Sequence, residues 1–159
     1  MKRIKLTQGK FASVSDVDYT YLNQFKWHYN HGRYNKYAVR DDNGRSIWMH
    51  RVILERKGHI NFTKVDHKDG DGLNNQRRNL RPATNQQNIC NQIKHLNNCS
   101  GFKGVHWDKL HGKWRAMIQF DGHKKHLGYF MSKREAAQAY NKAAKKYHGK
   151  FARLNRVVI

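Results

Sequence analysis

The chain has 159 residues, of which 32 are Lys or Arg and 11 are Asp or Glu, a formal net charge of +21 with histidine neutral. That length suits one ordinary domain or two small ones, and so large a positive excess draws a polyanion with an attraction that falls steeply with salt. No run near ~20 apolar residues and no signal-peptide core is present, so the expectation is a soluble, intracellular, cytoplasmic protein whose partner is nucleic acid rather than a membrane.

Residues 1–60 hold short aromatic and β-branched runs at Arg3–Leu6, Phe11–Val14, Lys26–Tyr29, Tyr37–Arg40 and Ser46–Met49. Asp42-Asn43-Gly44 between the last two is a strong hairpin signal. Asp18–Phe25 has helical spacing, with Tyr19, Leu22 and Phe25 on one face. His50–Lys57 (HRVILERK) reads as a second helix. The expectation is a small antiparallel sheet with short helices.

In residues 61–95, Phe62–Lys68 reads as a strand, Asp69–Asn75 (DGDGLNN) as a loop, and Asn79–Pro82 as a short return strand. Thr84 with Gln87 three positions on is a capping-box pattern that starts a helix to about Leu96. This order of strand, loop, strand and helix lets His67 and Asn88 face one site. Cys90 and Cys99 match no paired zinc-knuckle spacing, so free thiols and no structural zinc are expected.

A break at Asn97–Gly101 leads to a third part with 14 Lys or Arg against 3 Asp or Glu over residues 97–159. Phe102–Trp107, Lys113–Asp121 and Lys124–Phe130 read as three strands. Ser132 with Glu135 caps a helix through about Tyr147, with Ala136, Ala139, Tyr140, Ala143, Ala144 and Tyr147 on one stripe. A stripe made mostly of alanine lets the helix lie close to a three-stranded sheet. Period-two alternation turns Trp114, Ala116, Ile118 and Phe120 toward that helix, and Lys113, Arg115, Met117 and Gln119 outward. The fold class expected for the whole chain is α+β.

The richest chemistry lies from Asp66 to Asn88. Hard cations such as Mg²⁺ take one or two protein oxygens plus water and phosphate oxygens, which Asp66 and Asn88 can supply. Histidine is the side chain best suited to take a proton from water near neutral pH, which points to His67. Arg77, Arg78 and Arg81 carry the fork that matches phosphate oxygens, and Arg51 is grouped with them as a DNA contact. A blander reading has Asp66 and Asn75 only shaping turns. His50 and His59 can also lie near the site, as structural or phosphate-facing groups.

The Asp66–Asn88 segment resembles the HNH (ββα-metal) nuclease motif in its phage and intron-encoded homing-endonuclease variant. The resemblance extends upstream through HRVILE and SDVDYTYLNQFKWHY. It implies His67 as general base, Asp66 and Asn88 as ligands of Mg²⁺ or, as the alternative, Mn²⁺, and Asn79 as the site residue that holds the loop. Asn88 stands where the family's last letter is usually histidine. One metal and one base imply one active centre, so that a monomer nicks one strand of double-stranded DNA and a double-strand break takes a dimer or a second event.

Residues 101–155 resemble an AP2 DNA-binding domain through SGFKGVHWD, GKWRAMIQF, HLGYF and EAAQAYNKAAKKYHGKFARLN. The resemblance implies a sheet in the major groove, with His106, Lys113, Gln119, Lys124 and His126 approaching DNA. Gln119 would suit adenine and Arg115 guanine if either reaches a base edge. The expected organisation is an HNH region at 1–96 with its motif at about 61–95, a linker at 97–101, and an AP2-like domain at 102–159. Function is then a site-specific, metal-dependent DNA endonuclease of phage or mobile-intron type. Two alternatives stay open: a non-catalytic DNA-binding regulator on a degenerate HNH scaffold, and a nonspecific toxin-type nuclease.

Overall fold

The computed structural model describes residues 1–32, 35–94 and 97–157. The chain divides into two compact units, Met1–Asn85 and Gln86–Ile159.

The first unit begins with β1 (Lys2–Lys5) and β2 (Phe11–Val14), paired antiparallel so that Ile4 faces Ala12 across the ladder. Period-two alternation turns Ile4, Ala12 and Val14 into the core and leaves Arg3 and Lys5 in water. Helix α1 (Asp16–Leu22) follows, its acidic first turn suiting the positive end of the helix. It starts and stops earlier than the expected Asp18–Phe25. The aromatic Phe25 instead packs edge-on against Tyr21 and Trp27.

A second sheet is formed by β3 (His28–His31), β4 (Lys36–Asp42) and β5 (Arg45–Trp48). The β4–β5 turn holds Asn43 at φ 48° and Gly44 at φ 77°, the pair of positive φ angles that a two-residue hairpin loop of type I′ requires. Helix α2 (Met49–Arg56) buries Met49, Ile53 and Leu54 against these strands and against Leu22 and Leu80.

The short strands β6 (Lys64–His67) and β8 (Leu80–Ala83) pair antiparallel, with His67 opposite Leu80 and Asp66 opposite Arg81. Between them lies β7 (Asn74–Asn75), inside the stretch expected as pure loop, which pairs parallel with β2. This pairing ties the loop's far end to the first sheet. Gly72 lets the same loop pass close to β4, since a Cβ there would collide with the Lys36 carbonyl and the Tyr37 ring.

The second unit takes in α3 (Asn85–Asn91) from Gln86 onward. The division therefore falls at 85/86, ahead of the expected linker at 97–101. The helix ends at Asn91, short of the expected Leu96, and His95 and Leu96 lie outside the described residues. Strands β9 (Val105–Asp108), β10 (Lys113–Phe120) and β11 (His123–Phe130) form an antiparallel sheet in the order β11-β10-β9. Helix α4 (Lys133–His148) packs on one face, with Ser132 Oγ accepting from the Arg134 amide at 3.1 Å as its cap.

The buried stripe of α4 is Ala136, Ala137, Tyr140, Ala143 and Ala144, against Val105, Ala116 and Ile118 of the sheet. Ala137 joins it and Ala139 is only partly buried, because the stripe is wider than one row of side chains. Gly104 sits at φ +74°, where a Cβ would strike the Tyr140 ring and the Met117 carbonyl. Trp114 packs in this core, whereas Trp107 leans edge-on against it and stays 48% exposed. Among the described residues the architecture is mixed α and β, with small sheets and four α-helices, as the α+β expectation holds. No described helix is long and apolar enough to cross a membrane.

Candidate active site

Three neighbouring stretches of the first unit build the site: the end of β6, the loop 69–75, and the start of α2. Successive residues of a strand point to opposite faces, so Asp66 and His67 diverge, yet both are buried, at 2% and 6% exposure. The strand is enclosed on both sides, one face meeting β8's arginine and the other the aromatic rings of β4 and α2.

Asp66 Oδ2 accepts from Arg81 Nε at 2.7 Å and lies 2.6 Å from the same guanidinium's terminal nitrogen. A carboxylate this deeply buried needs such a partner, because an unpaired buried charge is costly. Arg81 is thereby engaged with Asp66, in addition to any phosphate role read for it from sequence.

His67 Nε2 lies 3.2 Å from Asn75 Oδ1, and Asn75 is fully buried. Asn75 Nδ2 donates to the Gly72 carbonyl at 3.4 Å, which orients the amide with its oxygen toward the ring. An amide oxygen can only accept. The contact thus puts the imidazole proton on Nε2 and makes Nδ1 the nitrogen with the lone pair. Burial pushes His67 below the ordinary histidine value, against the pull of Asn75 and the carboxylates of Asp69, Asp66 and Asp71. A neutral imidazole at neutral pH is the form a proton acceptor needs.

The loop itself is braced by Asn79. Its Oδ1 accepts from the Asp69 amide at 3.2 Å, and its Nδ2 donates to Asp69 Oδ1 at 2.9 Å and to the Asn74 carbonyl at 2.8 Å. Asp69 Oδ2 takes Asn74 Nδ2 at 2.6 Å and Asp69 Oδ1 the Asp71 amide at 2.9 Å. Burial works to raise the Asp69 carboxyl, but these donors together hold it below the usual carboxylate range.

A wall of rings closes the other side. His50 lies edge-on to His67 with ring centroids 5.3 Å apart, and Tyr37 approaches both histidines at 5.1 and 6.0 Å. Trp48 covers His50 at 5.9 Å. Burial pushes His50 down to about 3, with the neighbouring His67 and Arg51 adding to the effect, and its Nδ1 is buried without a hydrogen-bond partner. Burial, and then the Asp66 charge, raises the Tyr37 hydroxyl.

The pattern of the HNH endonuclease family matches residues 48–89, a span that runs from Trp48 to just past Asn88 and includes the residues described above except Tyr37. The chain is also 32% identical over 154 residues to "Uncharacterized HNH endonuclease L560" of Acanthamoeba polyphaga mimivirus, covering 94% of this chain and 77% of the relative. This chain belongs to the HNH endonuclease family. A second relative, "Protein 3.8" of Escherichia phage T7, is 34% identical over 89 residues, 56% of this chain and 73% of its own length. No solved structure matches the chain.

As an HNH endonuclease the protein acts on DNA, and members of the family generally use a divalent metal. Among the described residues no group of three or more His, Cys, Asp or Glu side chains is placed to hold a metal ion. By donor chemistry the residues present fit a hard cation: Asp66 of the first unit is a buried carboxylate, Asn88 of the second carries an amide oxygen, and Mg²⁺ is commonly held by one or two such groups with water and substrate phosphate completing the shell. Both thiols, Cys90 and Cys99, are free.

The remaining expected DNA contacts of this HNH endonuclease are spread over both units. In the first, Arg77 grips Asp18, a fully buried carboxylate 59 residues earlier, through two bonds of 2.7 Å. Arg51 leans over the Phe62 ring, 4.6 Å from its centroid, and reaches the Thr63 carbonyl at 3.4 Å. Arg78 is exposed. In the second unit, cross-strand partners share a face, so the pairs Arg115–His106, Met117–His126 and Gln119–Lys124 place His106, Arg115, Gln119, Lys124 and His126 on the side of the sheet away from α4. Lys113 stands there opposite Asp108.

The sequence pattern singled out Asp66, His67 and Asn79, which the fold brings to one loop. It did not single out Asn75 as the partner of His67. The one signal was its place in a Gly/Asn-rich loop, which on its own reads as turn chemistry. His50 was noted only as a possible neighbour, and its contact with His67 depends on α2 packing over β6.

Proposed function

We propose that this HNH endonuclease hydrolyses a phosphodiester of double-stranded DNA at preferred sites, with His67 as the general base and a divalent cation held by Asp66 and Asn88. The observation that carries the reading is the His67–Asn75 contact, which supports Nδ1 as the proton-accepting nitrogen of a buried, neutral imidazole. His67 takes the proton of the attacking water at Nδ1, and Asn75 holds the ring so that the lone pair keeps one direction. The cation, Mg²⁺ or Mn²⁺, would stabilise negative charge on the scissile phosphate and the departing oxygen. Arg81 holds the Asp66 carboxylate fixed. The assignment of Asn88, which lies on α3, rests on the motif's spacing.

The second unit is read as an AP2-like targeting module. The basic outer face of its sheet supports that reading, with most lysines positioning the duplex and Arg115 or Gln119 available for base edges. One base and one metal suit a monomer that nicks one strand. A homing-type role in the host cytoplasm, for a gene carried by a phage or mobile intron, is in keeping with the viral relatives.

The test is nicking of a supercoiled plasmid carrying candidate target DNA, with and without Mg²⁺. His67→Ala should abolish cleavage and keep DNA affinity within about tenfold, since a base lowers the barrier rather than strengthening ground-state binding. Cleavage that persists in chelator, or a collapse of DNA binding in His67→Ala, overturns the assignment. Competition by unrelated DNA then separates a site-specific enzyme from a nonspecific one, because specific sites win by ~10³ or more.

A further inference from the structure

Helix α3 is seven residues long, too short to hold itself by backbone bonding alone. One side chain gathers the carbonyls around the helix end. Lys103 Nζ donates to the Cys90 carbonyl at 2.7 Å, to the carbonyl of Gln92 just past the helix at 2.7 Å, and to the Ile89 carbonyl at 3.4 Å, which also accepts the Gln92 amide at 3.1 Å. A cation at this end of a helix satisfies carbonyls that have no partner within it and complements the helix dipole.

The lysine is itself anchored. Its amide donates to Asn155 Oδ1 at 2.7 Å and its carbonyl accepts from Asn155 Nδ2 at 3.0 Å. Asn155 in turn exchanges two bonds with Asn141 of α4, at 2.7 and 2.9 Å. A continuous bonded path therefore runs from α4 through Asn155 and Lys103 to the last turn of α3. Asn88 immediately precedes the first carbonyl that Lys103 holds.

We infer that Lys103 is the positioning residue for Asn88, so that the orientation of this cation ligand is set by the second unit's framework. The inference rests on the proposed role of Asn88. Cutting the chain at 97–101 removes the clamp on α3. Lys103 touches no DNA and no cation in this account. It acts through the last turn of α3.

The test uses the full chain and a supercoiled plasmid, reading nicking against Mg²⁺ concentration and, separately, DNA affinity without Mg²⁺. Lys103→Met should raise the half-saturating Mg²⁺ concentration about tenfold or more, as loss of a group that orients a ligand usually does, and lower kcat while KM and DNA affinity stay unchanged. Lys103→Arg, which keeps the donors, should recover most of both. Asn155→Ala leaves the ammonium but loosens its anchor, so it should shift the Mg²⁺ requirement the same way. It stands in for Lys103→Met if that variant does not fold. An unchanged Mg²⁺ requirement in the folded variants overturns the inference, as does a loss confined to DNA affinity. Asn88→Ala separates the two claims: if it leaves the Mg²⁺ requirement unchanged, the ligand assignment fails. If it shifts the requirement and Lys103→Met does not, only the clamp fails.

Discussion

Asn75 Oδ1 stands 3.2 Å from His67 Nε2 while its own Nδ2 is held by the Gly72 carbonyl. The amide therefore dictates the tautomer of the proposed base, and it does so from a strand of two residues paired to β2. Asn75→Ala removes the acceptor and leaves the ring free to tautomerise. Cleavage should lose about 10- to 100-fold in kcat, within the usual range for a general base, with KM nearly unchanged. Single-turnover kinetics at saturating DNA checks this, and a fall in DNA affinity instead would place Asn75 in binding.

Arg81 and Asp66 form a pair exposed by only 15% and 3% at their side chains. Arg81→Met leaves that carboxylate buried without its cation, a change that costs on the order of 3–5 kcal/mol. The metal-free protein should melt well below the parent. If Asp66 holds the cation, added Mg²⁺ should stabilise Arg81→Met more than it stabilises the parent, because the ion then supplies the missing charge. Equal Mg²⁺ shifts in thermal melts of the two proteins would remove Asp66 from the ligand set.

Burial pushes His50 down to about 3 and His67 down as well, the groups facing His50 being His67, Arg51, Tyr37 and Trp48. Above the unfolded value of about 6.5 neither the native nor the unfolded chain protonates these rings, and their full contribution to stability is present. As pH falls below that value the unfolded chain takes up protons that the native site refuses. Stability should then decline by up to about 1.4 kcal/mol per pH unit for each such ring. His50→Phe keeps an aromatic ring against Trp48 and removes one of the two contributions. Urea midpoints measured between pH 7.5 and 5 should show a shallower decline in that variant. A parent whose midpoint does not move over this interval would refute the argument.

Arg77 and Arg78 are adjacent in sequence and opposite in circumstance. Arg77 is tied to the fully buried Asp18, and Arg78 is exposed. Arg77→Met should destabilise the first unit by up to about 3 kcal/mol, since the buried Asp18 carboxylate loses its two short bonds and keeps only Arg56 Nε, at 3.5 Å. Arg78→Ala should leave the melting temperature alone and reduce the slope of log affinity against log salt by about 0.9, the value of one phosphate contact. Salt titrations of DNA binding beside thermal melts separate the two, and a stability loss in Arg78→Ala would contradict it.

Local signals were enough for much of the framework. Asn43-Gly44 announced its hairpin because few residues accept two successive positive φ angles. The Ala and Tyr stripe of α4 announced a helix on a sheet, and alternation along β10 sorted the face that packs from the face that does not. Asp66, His67 and Asn79 were legible because a strand–loop–strand motif puts them within one short segment, where spacing alone restricts the geometry.

Other features depend on chain segments that meet only after folding. The bonds of Arg77 to Asp18 span 59 residues, and the pairing of Asn75 with Val14 joins strands with most of the first unit between them. No periodicity encodes such a partner, so the sequence does not announce that Arg77 and Arg81 also hold buried carboxylates or that Asn75 faces the imidazole. By itself the sequence determined the basic character, the α+β class and the HNH segment, since charge, pattern and spacing are local properties. Tertiary structure decided which nitrogen of His67 carries the proton, which arginines are engaged internally and which unit includes α3, because each follows from burial and from bonds between distant residues.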